Sequence, residues 1–179
     1  MPHMTTDDTE APERVWPDTA AGERQALEQW LDFQRATLAL KCAGLSDAQL
    51  RTAAAPPSPL NLLGLVRHMA EVERGWFRRV LGGEEATWLY ATDEEHDRGI
   101  RTTGDDTYAE AYATWQAEIA HARKLAARHD LDDVGAGGHH RAGDLVNLRW
   151  IYLHMIGEYA RHNGHADLLR ERVDGATGA

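Results

Sequence analysis

The residues best suited to chemistry lie in the stretch His154-Met155-Ile156-Gly157-Glu158-Tyr159-Ala160-Arg161-His162-Asn163-Gly164-His165. His154, Glu158, His162 and His165 follow one another at intervals of four, four and three. At about 3.6 residues per turn they share one side of a helix. Ile151, Met155 and Leu169 fall beside them, which turns this polar face inward rather than toward solvent. Three imidazoles and a carboxylate facing the interior form a plausible metal-ligand set. Burying an unpaired carboxylate is very unfavourable, and a cation beside Glu158 removes that cost.

Glu158 and His162, one turn apart, supply two ligands, and a mononuclear site needs at least a third. His68 is the candidate, because it stands in register with Leu65, Val72 and Trp76 on the core side of an earlier helix. Helical bundles build metal sites from side chains on facing helices in this way. Two histidines and one carboxylate suit a divalent metal, zinc first, with nickel, iron(II) or manganese as alternatives. Three protein ligands leave positions open for water, thiol or substrate. His154 and His165 are then a fourth ligand, a general base or groups that orient the ligands. Glu71, one turn after His68, is read either as an acceptor for its imidazole proton or as a surface partner of Arg67 or Arg74. Glycine inside a helix costs roughly 1 kcal/mol against alanine. Gly157 and Gly164 therefore predict close approach of another helix or of a bound thiol. Cys42 reads as a small core hydrophobe, and His139-His140-Arg141 as solvated loop.

These residues need a frame. The 179 residues fit one domain with a sizeable core. Residues 1–18 predict a flexible arm and residues 19–175 a helical bundle. Apolar periodicity and breakers predict helices over 19–43, 59–81, about 106–129 and 148–173. Ser46, Ser58, Asp105 or Asp106, and Asn147 are the expected N-caps, with a short helix after Ser46. No strand pattern and no long repeat occur, so the fold class is all-α, a four-helix bundle with long crossover connections. The segments 84–105 and 130–146 are predicted loops, the first with an aromatic patch at Trp88-Leu89-Tyr90 placed to cover a pocket mouth.

A formal charge of -10 leaves no electrostatic footprint for nucleic acid or an anionic membrane. One cysteine, no signal peptide and no membrane span predict a cytoplasmic, soluble protein. A homodimer is expected, through an exposed helical face that the sequence does not choose.

The segment Leu63-Gly-Leu-Val-Arg-His68-Met-Ala-Glu71-Val-Glu73-Arg-Gly-Trp76, together with His154 to His165 and the following Ala-Asp-Leu-Leu-Arg170, resembles the DinB-like metalloprotein superfamily. The closer likeness is to its mycothiol-linked branch, over about residues 20 to 175. That resemblance implies a four-helix bundle holding a divalent metal through His68, Glu158 and His162. It implies mycothiol as thiol co-substrate. Many superfamily members have His where this chain has Glu158 and Gln where it has His165. The Glu form is similar to mycothiol-dependent maleylpyruvate isomerase, whose extra domain has no counterpart here, so isomerase activity is not expected.

The expected function is a metal-dependent transferase joining a low-molecular-weight thiol to an electrophilic small molecule. His154 or His165 would take the thiol proton, and Arg67 and Arg161 would bind acidic parts of thiol or substrate. The alternative is a non-catalytic bundle that binds a metal or small ligand as sensor, carrier or stress protein.

Overall fold

The structure is a computed structural model, described here for residues 13–91, 99–137 and 144–178. It is all-α, with no strand among the described residues. The elements are α1 (Glu23–Cys42), the short α2 (Asp47–Leu50), α3 (Leu62–Glu73), α4 (Tyr108–Ala126) and α5 (Leu148–Asp174). Helix α3 continues without a break into a π-helical segment, Arg74–Leu81. Packing sets α1 beside α5 and α3 beside α4, with α3 also meeting α5. Buried between them are Leu38, Leu63, Leu65, Met69, Trp115, Ile119, Ile151 and Met155.

The helix ends show which local signals prevailed. Ser46 forms the expected capping box with Gln49, and Asn147 Oδ1 accepts from Trp150 N at 2.9 Å. Gly175 ends α5 in the left-handed region, φ 80°. Two expected caps are displaced. Helix α3 is capped by Asn61, which accepts from Gly64 N at 2.8 Å; Ser58 instead accepts from Leu60 N in the preceding turn. Helix α4 is capped by Thr107, because Asp106 is engaged by Arg67 and Thr103. Replacing Asn147 by alanine is expected to lower stability by about 1 kcal/mol, read as an earlier denaturation midpoint with an unchanged slope.

The π-helical segment was not anticipated, since apolar spacing reads continuously through it. Trp76, the third residue of this segment, stays on the His68 side, where its register with His68 already placed it, and reaches α5. Its ring lies 4.4 Å from that of His154 and 5.2 Å from that of Trp150.

One buried polar chain ties four helices together. Arg35 of α1 donates from Nε and Nη2 to the two oxygens of Glu73, both at 2.8 Å. The Tyr159 hydroxyl of α5 donates to Glu73 Oε1 at 2.7 Å, and Trp115 Nε1 of α4 donates to the Tyr159 oxygen at 2.7 Å. Burial, reinforced by the Glu73 carboxylate, raises the Tyr159 phenol well above its ordinary value, so it stays a donor.

The described parts of the connection from α3 to α4 pack against α3 at Tyr90, Ala91, Gly99 and Ile100. Gly64 admits it: a Cβ there would collide with the carbonyl of Ile100. No other helix approaches Gly157 or Gly164 among the described residues, since a Cβ at either would meet nothing within 4 Å. Both lie on the exposed side of α5.

Candidate metal centre

Helix α3 presents His68 toward α5, and the i,i+4 spacing of α5 presents Glu158 and His162 toward α3. One ligand atom from each of the three lies within 4.8 Å of the other two. Glu158 Oε2 is 3.7 Å from His162 Nε2, and the His68 and His162 rings are 4.8 Å apart. Ligand bonds of about 2.0–2.2 Å in a tetrahedral sphere set donor atoms about 3.4 Å apart. The three groups fit a divalent ion after a contraction of about an ångström. Neither His154 nor His165 joins this convergent set among the described residues.

The protonation state of His162 suits ligation. Burial, with His68, His165 and Arg161 adding like charge, pushes its imidazole down to about 4, so it is neutral at pH 7. Its Nδ1 lies 3.4 Å from His165 Nδ1. With a proton on Nδ1 directed at His165, the Nε2 lone pair is left facing Glu158. His154 stands on the other side of the carboxylate, its Nε2 3.9 Å from Glu158 Oε1, stacked on Trp150 at 4.9 Å and 8°.

In the metal-free protein this carries a pH dependence with a definite sign. An unfolded histidine takes up its proton near pH 6.5, the folded His162 only near 4. Between those values the unfolded chain binds more protons, so stability falls as pH falls through the window and is flat on either side. The size is about 3 kcal/mol for this group. Denaturation of chelator-treated protein at pH 7 and pH 4.5 should show that loss, and His162→Gln should show a smaller one; equal losses would contradict it.

The remaining sequence-predicted residues divide. Glu71 is fully buried and is neither on the surface nor paired with Arg67 or Arg74. Its Oε1 accepts from the backbone N–H groups of Tyr90 at 2.5 Å and Ala91 at 3.0 Å. It anchors the crossing connection because those loop amides, brought in by tertiary packing, need a buried acceptor. Arg74 turns instead to Glu118 at 2.8 Å. Arg67 pairs with Asp106 at 2.5 Å and stacks over Tyr90 at 4.3 Å, while Arg161 is exposed beside the triad on α5. Trp88 lies under Arg79 at 4.1 Å. Cys42 is buried and its thiol is pushed up to about 12 by that burial, which suits a core residue and not a nucleophile. His139, His140 and Arg141 lie outside the described residues. Sequence reading missed the aromatic group around His154, although Trp150 precedes it by four residues and Trp76 follows His68 by eight. A separate pocket of about 360 Å³ between α1 and α4, near Trp16, Phe33 and Arg35, has no member of the triad in its lining.

The bundle is of the DinB-like type, with His68, Glu158 and His162 brought together from two facing helices. A family model for Mycothiol-S-transferase matches residues 26–175, and the chain belongs to that family. Among solved structures, the crystal structure of a conserved protein from Enterococcus faecalis is similar in fold: TM-score 0.57 at 18% identity, over 88% of this chain and 100% of that one. A search of curated proteins finds no match.

Proposed function

We propose that this protein is a metal-dependent thiol S-transferase that joins mycothiol to an electrophilic small molecule, with zinc as the metal. The observation that carries the reading is the convergence of His68, Glu158 and His162 on one point between two helices, in a chain of the mycothiol S-transferase family. These three residues hold the ion. A divalent cation there lowers the pKa of a ligating thiol, so that the thiolate is available at neutral pH. His165 fixes the His162 ring by meeting its far nitrogen. His154, beside the free oxygen of Glu158, is placed to take the thiol proton. Arg161, exposed on the same helix, meets acidic parts of the thiol or substrate, whereas Arg67 is already committed to Asp106. Among the described residues neither His154 nor His165 joins the convergent set, which supports turnover at a position open to thiol over a closed storage site.

The reading places the protein in the cytoplasm with its thiol; no described helix is long and apolar enough to cross a membrane. Elemental analysis of untagged protein, followed by mycothiol-consumption assays against a panel of electrophiles, tests the proposal. One equivalent of divalent metal and turnover abolished by chelation are expected. Absence of stoichiometric metal would overturn it.

A further inference from the structure

The triad is bordered differently at its two ends along α5. Toward the helix C-terminus stands His165, and the exposed Arg161 lies between Glu158 and His162 on the same helix. Toward the N-terminus the border is aromatic: Trp76, Trp150 and His154 touch one another, with ring centroids 4.4 to 5.2 Å apart. Trp150 is 44% exposed, and the neighbouring Leu153 is 57% exposed. A lone exposed indole would mean little. Here two indoles lie beside the imidazole that faces a triad carboxylate, and one of them, Trp76, stands within the π-helical segment. Such segments occur frequently at functional sites.

We propose that Trp76 and Trp150 form the seat of the electrophile, and that the seat selects planar, electron-poor conjugated molecules. This rests on the transferase reading for its chemistry. Indoles are large, rigid and electron-rich on their faces, so they favour offset stacking with electron-poor rings. The polar end of the site is left to the thiol, and the two partners meet at the triad between them. With an aryl halide the step balances: the sulfur–carbon bond forms at the ring carbon, the carbon–halogen bond breaks, halide leaves with its electron pair, and the thiol proton passes to His154 and from it to solvent. Trp76 and Trp150 take no part in bond making; they decide which electrophile lies still long enough to react.

The test uses full-length, metal-loaded protein with chlorodinitrobenzene as planar electrophile and iodoacetamide as small aliphatic one. Trp150→Ala is expected to lower the ratio of kcat/KM for the planar over the aliphatic electrophile at least tenfold, mainly through KM, and Trp150→Phe to restore most of it. Equilibrium binding of unreactive dinitrobenzene, followed by tryptophan quenching in Trp150→Phe and by calorimetry in all forms, reads the seat without turnover. There Trp150→Ala should weaken binding at least tenfold. Equal losses for both electrophiles, an unchanged ratio, or dinitrobenzene binding that is absent in the wild type or unaltered in Trp150→Ala would overturn the seat. A wild type that binds dinitrobenzene, with the expected loss in Trp150→Ala, but consumes no thiol would keep the seat and remove the transferase reading.

Discussion

Replacing His162 by alanine is expected to strip the metal from the protein and to reduce metal-dependent thiol consumption at least a hundredfold. His68 and Glu158 sit on different helices, and the only pair of triad residues spaced one turn apart on a single helix is Glu158 with His162. Removing the imidazole leaves two donors, too few for a mononuclear site. It also removes the one member whose neutral state burial already secures. Alanine keeps helix propensity high at this position, so the bundle should remain folded, which circular dichroism checks. His165→Ala provides the graded control. It touches the far nitrogen of His162, and loss of such an outer contact typically costs 10–100-fold in metal affinity. Metal retained at full stoichiometry in His162→Ala would show that the triad is not the binding site.

Replacing Glu73 by alanine is expected to cost about 3–5 kcal/mol of stability, because it leaves a buried charge without its partner. Arg35 is 6% exposed and Glu73 is 1% exposed, and their two-point contact is completed by the Tyr159 hydroxyl. Asp32, at 2.9 Å from Arg35 Nη1, would remain but is itself shared with Arg123. For a chain of this size, a loss of that order lowers Tm by roughly 10 °C. Tyr159→Phe should cost less, about 1–3 kcal/mol, since it removes one hydroxyl and leaves the ion pair standing. The two losses should not add in the double variant, because both residues act on the same carboxylate. A Glu73→Ala loss below about 1 kcal/mol would mean that the pair is hydrated in solution.

The pH behaviour of the metal-free protein and the specificity of Trp150 variants probe the same region from other sides. The first follows the imidazole that metal ligation would require neutral. The second follows the aromatic border that no metal measurement would report.

Much of this was legible along the chain. Periodic apolar residues and breakers located four long helical rods, and Ser46 and Asn147 marked two starts correctly. The interval from Glu158 to His162 already placed both on one face, and the register of His68 with Leu65 and Trp76 turned it toward the same interior. Those inferences hold because positions within one helix are related by its own geometry, whatever surrounds it. Other features depended on elements distant in sequence. Glu71 looked like a partner for an imidazole or a nearby arginine, yet the amides of Tyr90 and Ala91 claim it. Arg35 and Glu73, separated by 38 positions, carried no sign of pairing. Gly157 and Gly164 suggested a close neighbour and face open space. The π winding over Arg74–Leu81 interrupts no hydrophobic pattern. The sequence by itself thus determined the helices and the inward positions of His68, Glu158 and His162, because short-range spacing is enforced by local backbone hydrogen bonding. Only the tertiary structure decided which buried polar groups meet and which aromatic rings border the triad, because those depend on how far each helix is rotated and advanced against its neighbours when the whole core packs.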